Sequence, residues 1–194
     1  MRVLIALSAT EQSREIVRAA AGRPWPANCK FLLLHVLDPF PFARLPVSLE
    51  RAKEATRKEL ESAAGDLRKS GWTADANVIL GRARQAVTKA AVTWKADLVL
   101  VGTHGGGALQ RTLLGSTARA VLRHAHCSVE IVRSPGKSEK QTGARATRIL
   151  VATDGSEFSA AAIRAVAARA WPKGSATKVM SIPEPFLPMP VSLF

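Results

Sequence analysis

Apolar residues along the chain alternate between short continuous runs and longer segments with helical spacing. The continuous runs predict strands at 2–7, 31–37, 72–80, 98–101 and 128–132. The helical spacing predicts helices between consecutive strands, at 11–21, 49–70, 84–95 and 115–124. Apolar strands separated by helices are typical of a parallel sheet that is covered on both faces. The pattern therefore predicts a doubly wound α/β fold.

The last quarter of the chain repeats its beginning. Residues 134–147 lack apolar periodicity and are rich in Gly, Ser and Thr, which predicts a flexible linker. Residues 148–172 then align without gaps on residues 2–26, with 11 of 25 pairs identical, including a Trp-Pro pair in each segment. We interpret this as an internal duplication that gives a module at 1–133 and a truncated second copy at 148–194. A strand, a helix and a strand are too few to bury a core alone.

Composition indicates a globular protein of a reducing compartment. Hydrophobic residues make up 47% of the chain, and the longest apolar runs are too short to cross a membrane. The apolar run near the N-terminus, 3–7, is also too short for the core of a signal peptide. The two cysteines, Cys29 and Cys127, suggest no disulfide framework. We therefore expect a cytoplasmic protein with no membrane partner.

The net charge of +13 favours acidic partners such as nucleotides, nucleic acid or anionic lipid. A basic surface with no such partner is about equally compatible with the charge. Aromatic residues are only 5% of the chain and Tyr is absent, which argues against stacking on single strands. The composition therefore argues against nucleic-acid binding, which remains an alternative function.

The segment VGTHGGGALQRTLLGST, residues 101–117, is rich in glycine and contains no carboxylate. It follows a predicted strand and precedes a predicted helix. Ligands of parallel sheets bind at the carboxyl ends of the strands, and a helix N-terminus suits phosphate. The segment therefore predicts an anion cradle, although a glycine-rich loop before an ordinary Ser N-cap remains open. Neither the P-loop spacing nor the G-x-G-x-x-G fingerprint is present.

The spacing Gly102-x2-Gly105-x9-Gly115-Ser116 resembles the nucleotide signature of the universal stress protein family. Other segments resemble strands and turns of that family, namely LLLHVLDP, ADLVLVGTHG, ARAVLRHAHCSVEIVR and, in the second copy, ILVATDGSEFS. The resemblance implies a five-stranded, Rossmann-like sheet of the adenine nucleotide alpha-hydrolase type, in the order 3-2-1-4-5. It also implies an ATP-binding stress-response protein without robust catalysis, and a homodimer formed through the last strand, Ser128–Val132.

The resemblance also implies a set of site residues. Phosphate and ribose would contact Gly102, Thr103, Gly105, Gly115, Ser116 and Thr117. Adenine would lie against Val36 and the backbone of Ala6, Leu7 and Ser8. His104 lies within the cradle, where a binding role is favoured over proton transfer.

The family has an Asp at the end of its first strand, where this chain has Ser8. The second copy retains that residue as Asp154 but lacks the glycine-rich loop. A hydroxyl can form hydrogen bonds but brings no charge to a metal, so Mg²⁺ binding with ATP is in doubt. A nucleotide-independent dimeric interaction module is therefore the main alternative.

His124, His126 and Cys127 are residue types that bind metals, but their spacing matches no zinc motif. An ordinary helix end, where His interacts favourably with the helix dipole, is the simpler interpretation. We predict no metal site.

Overall fold

The computed structural model describes residues 1–8, 11–44, 46–103, 114–133 and 146–181. The chain divides into two units, residues 1–141 and 142–194. The first unit contains β1 (Arg2–Leu7), α1 (Glu11–Ala21), β2 (Lys30–Leu37), a 3₁₀ turn (Phe40–Phe42), α2 (Pro46–Lys69), β3 (Thr73–Leu80), α3 (Ala83–Thr93), β4 (Leu98–Gly102), α4 (Ser116–His124) and β5 (Ser128–Val132). The second unit contains β6 (Arg148–Thr153), α5 (Glu157–Ala167) and β7 (Ala176–Ser181).

The five strands of the first unit form one parallel sheet in the order β3-β2-β1-β4-β5. Leu7 at the end of β1 is in register with His35 of β2, and Ala6 is in register with Val101 of β4. All five strands point the same way, so their carboxyl ends meet at one edge of the sheet. That edge is where ligands of such sheets bind.

Two apolar layers enclose the sheet. On one face, Ile16 and Val17 of α1 and Leu60 and Leu67 of α2 pack on alternate residues of β1 and β2. On the other face, α3 and α4 pack on the intervening residues, with Val121 of α4 fully buried. This alternation arises because successive side chains of a strand point to opposite faces. The helices on both faces confirm the predicted doubly wound fold.

The element bounds follow the prediction closely, with one informative difference. The second helix begins at Pro46, three residues before the predicted start at 49. Proline is tolerated in the first turn of a helix, where its missing N–H would have no intrahelical partner. The sequence pattern placed the start at the first apolar position with helical spacing and so missed this turn.

In the second unit, β6 and β7 form a two-stranded parallel sheet, and α5 follows β6. Ser156 is the N-cap of α5, and its side chain accepts a hydrogen bond from the backbone N–H of Ser159. Among the described residues 146–181, only Val151 is fully buried, at 6% exposure. This unit therefore has little apolar core in its described part.

Candidate functional site

A cleft of about 260 Å³ lies at the carboxyl edge of the first sheet. The ends of β1, β2 and β4 form its floor, and residues from α1, α3 and the start of α4 form its sides. Its described lining residues are Ala6, Leu7, Ser8, Ser13, Ile16, Leu34, His35, Val36, Ala83, Val87, Val101, Gly102, Thr103, Gly115, Ser116, Thr117 and Ala118.

The N-terminus of α4 opens onto this cleft. Gly115 is the N-cap residue, and its backbone N–H donates to the carbonyl of Thr103 at 2.7 Å. The backbone N–H of Thr103 donates to the carbonyl of Val132 at 3.2 Å, which ties the end of β4 to β5. The N–H groups that follow Gly115 in the first turn have no intrahelical partner by helix geometry. They give this side of the cleft the partial positive charge that suits an anion.

The N-cap of α4 is Gly115 and not the serine that the alternative interpretation placed there. Ser116 is the first residue of α4 and not its N-cap, so its hydroxyl is not in the ordinary capping position. Gly115 has φ −57° and ψ 151°, a conformation that other residues can adopt. The backbone angles at this position therefore do not require a glycine.

Ser8 and Ser13 close the turn between β1 and α1. The backbone N–H of Ser8 donates to Ser13 Oγ at 3.1 Å, and Ser13 Oγ donates to the Ser8 carbonyl. This pair fixes the end of β1 against the first turn of α1. Ser13 is one of the residues that the sequence analysis did not identify.

His35 is the second such residue, and it is buried at 8% exposure at the end of β2. Burial lowers its pKa, a hydrogen bond to the Leu7 backbone opposes the shift, and the Glu59 carboxylate opposes it more weakly. His35 Nδ1 has no hydrogen-bond partner in the described structure. A titratable residue inside the otherwise apolar run FLLLHVL, directly before Val36, was the available sequence signal.

The structure brings together nine of the eleven predicted site residues in this single cleft: Ala6, Leu7, Ser8, Val36, Gly102, Thr103, Gly115, Ser116 and Thr117. His104 and Gly105 lie outside the described residues. Their roles, and the contacts of all eleven with a ligand, stay predictions.

The absence of a metal site is a prediction from the spacing of His124, His126 and Cys127. His124 and His126 are exposed and Cys127 is half-buried. Within the described residues, no group of three His, Cys, Asp or Glu side chains is close enough to hold a metal ion. No helix in the same described residues combines the length and the apolar character that a membrane span needs.

Comparisons with known proteins agree with this architecture. The model of the universal stress protein family matches residues 1–133. A universal stress protein of Thermus aquaticus is 30% identical over 139 residues, which cover 68% of this chain and 97% of that protein.

Solved structures share the fold of the first unit. Hypothetical protein MJ0577 matches with a TM-score of 0.64 and 19% identity, over 70% of this chain and 97% of its own. A universal stress protein family protein from Arabidopsis thaliana, solved with AMP bound, matches with a TM-score of 0.52 and 17% identity, over 70% and 92% of the two chains. The observed strand order and these matches confirm the predicted sheet order 3-2-1-4-5.

Proposed function

The chain belongs to the universal stress protein family, and from this premise we propose that its cleft binds an adenine nucleotide without robust catalysis. One observation carries the proposal. The open N-terminus of α4 faces the same cleft as the ends of β1 and β2, so an anion site and an apolar base site are adjacent. The AMP bound to the Arabidopsis relative supports adenine as the base.

In the proposed pose, phosphate and ribose lie near Gly102, Thr103 and the first turn of α4 at Gly115–Thr117. The base lies against Val36 and the backbone of residues 6–8. These groups offer N–H donors, hydroxyls and apolar surface, which are sufficient to bind and orient a nucleotide. The predicted contributions of His104 and Gly105 belong to the same proposal.

We propose further that residues 148–194 are a truncated second copy of the module. The bounds of β6 and α5 equal those of β1 and α1 shifted by 146 residues. Trp25 Nε1 donates to the Ala20 carbonyl at 2.7 Å, and Trp171 Nε1 donates to the Val166 carbonyl at 2.8 Å. Shared hydrogen bonds at a constant offset support descent of both segments from one ancestral unit.

A homodimer through β5 is the third part of the proposal. In the described residues β5 pairs only with β4, which leaves its outer edge open. Open strand edges are templates for pairing with a second chain. Sedimentation velocity at micromolar concentration should therefore give about twice the 20.7 kDa chain mass. A single monomeric species at that concentration would contradict this part.

Calorimetric titration of nucleotide-free protein with AMP and ATP tests the central proposal. We expect saturable binding by the wild type and at least about a tenfold loss in Gly115→Val, because the branched side chain fills the space beside the phosphate site. Gly65→Val is the matched control. Gly65 lies in α2, outside the cleft lining, and an added Cβ there has nothing within 4 Å.

Two results would contradict the proposal. One is the absence of binding up to millimolar nucleotide by wild-type protein whose circular dichroism shows an intact fold. The other is an equal loss of affinity in the Gly115 and Gly65 variants, because it would show that the cleft is not where the nucleotide binds.

A further inference from the structure

The side chains that line the cleft do not suit Mg²⁺. None of the described lining residues is an Asp or a Glu. The sequence of the whole segment 101–117 also contains no carboxylate. Mg²⁺ in nucleotide sites is usually held by one or two protein carboxylates together with the phosphates. The polar groups of the described lining are backbone N–H donors, neutral hydroxyls and the His35 imidazole. N–H donors and hydroxyls suit a phosphate, and imidazole is not a ligand that Mg²⁺ prefers.

Acidic residues near this edge of the sheet are engaged elsewhere or lie outside the lining. Asp38 follows β2, is exposed, and accepts a hydrogen bond from the Phe40 backbone at 2.9 Å. Glu15 of α1 is half-buried and does not line the cleft. Glu11 begins α1 three positions after Ser8 and is not among the described lining residues.

The second unit has an aspartate at the strand end where the first unit has Ser8. Asp154 stands 146 positions after Ser8, and its Oδ1 accepts from the Ser156 backbone N–H at 2.9 Å. Hydrogen bonds from Ser156 and Ser159 lower the pKa of Asp154 to about 2. In the second unit an Asp at this strand end fits the local turn, whereas the first unit has the uncharged Ser8 at the corresponding position.

We infer that the cleft takes its nucleotide as the metal-free anion and prefers a nucleoside monophosphate to a magnesium-bound triphosphate. The inference rests on the proposed function. One helix N-terminus supplies only about half a positive charge, which favours a single phosphate group. A triphosphate brings extra negative charge that protein-held metal would normally neutralise. No Lys, Arg, Asp or Glu lies in the described lining to neutralise that charge or to hold the metal.

The test compares AMP and ATP by calorimetry, each in EDTA and in excess MgCl₂. We expect AMP binding to be the same in both buffers, and magnesium-bound ATP to bind about tenfold more weakly than AMP or worse. An Mg²⁺-dependent gain in wild-type ATP affinity would overturn the inference, as would equal affinities for AMP and magnesium-bound ATP.

Two variants of Ser8 test whether a carboxylate at this position would supply the metal ligand that the cleft lacks. Ser8→Asp should gain about tenfold in ATP affinity on addition of Mg²⁺, whereas the uncharged Ser8→Asn should not. AMP affinity in EDTA verifies that each variant retains its site. Equal Mg²⁺ responses of the two variants would overturn the assignment. A wild-type response to Mg²⁺ that Glu11→Gln removes would overturn the inference too, because Glu11 would then supply the ligand.

Failure of this inference is distinguishable from failure of the proposed function. If neither nucleotide binds the wild type in either buffer, the proposed function fails. If AMP binds and Gly115→Val removes the binding while Mg²⁺ strengthens ATP binding, only the inference fails.

Discussion

At position 35, strand β2 places an imidazole where an aliphatic side chain would fit the surrounding pattern. The two preceding residues, Leu33 and Leu34, are apolar and at most 1% exposed, and His35 itself is 8% exposed. A buried charge without a close partner is costly, so the ring is held neutral. The sequence pattern identified a strand here because six of the seven residues in FLLLHVL are apolar. It could not show burial of the ring, which depends on packing between strand and helices.

The lowered pKa of His35 makes stability depend on pH. The unfolded chain binds a proton at the ordinary pKa of 6.5, above the pKa of the native state. The contribution of His35 to the free energy of unfolding therefore has its full value above pH 6.5. It decreases as the pH falls from 6.5 toward the pKa of the native state. His35→Gln should remove this slope, which is at most about 1.4 kcal/mol per pH unit.

Urea unfolding at intervals between pH 7.5 and 5 measures the slope for wild type and variant. The matched control replaces the exposed His124 at the end of α4 with Gln. Parallel stability curves for wild type and His35→Gln would show that the ring is not held neutral by burial.

At the scale of elements, periodicity alone was enough to identify the α-helices and strands in the described part of the first unit. Continuous apolar runs such as LVLV in β4 are short and bounded by polar or glycine residues, so strand and helix are easily distinguished. The sheet order came from the family resemblance, because periodicity does not show which strands are neighbours. That order makes β1 a neighbour of both β2 and β4, so it also predicted that the site residues at the ends of these strands lie together. Ser13, Ala83 and Val87 were missed because α1 and α3 reach the cleft only through packing.

Burial distinguishes the two units more sharply than secondary structure does. Leu4 in β1 has no exposed surface, whereas Leu150, at the corresponding position of β6, is 61% exposed. Both strands have the same parallel pairing with the following strand. The hydrogen bonds of β6 are therefore supported by far less apolar packing than those of β1.

Hydrogen exchange followed by mass spectrometry should show this difference directly. Amides of 148–153 should exchange roughly a hundredfold faster than those of 2–7, because local opening requires less buried surface to be exposed. The two peptides serve as each other's reference within one sample. Equal protection would mean that another surface covers β6 in solution.

At the scale of the whole molecule, 28 basic residues face 15 acidic ones, which leaves an excess of thirteen positive charges. The described ion pairs are at the surface or only partly buried. Such pairs contribute little to stability. The excess charge therefore matters mainly as a field around the protein.

The absence of charged side chains from the described lining of the cleft has a kinetic consequence. The positive field of the surface attracts a nucleotide before contact, but the bound nucleotide meets mainly neutral groups. Salt screens the long-range attraction, with a Debye length of about 10 Å at 0.1 M, so association should slow several-fold from about 0.02 M to about 0.5 M salt. Dissociation should change little, which stopped-flow fluorescence with a labelled AMP can measure. Ionic strength would then govern how fast the protein captures a nucleotide, while the neutral cleft governs how long it keeps it.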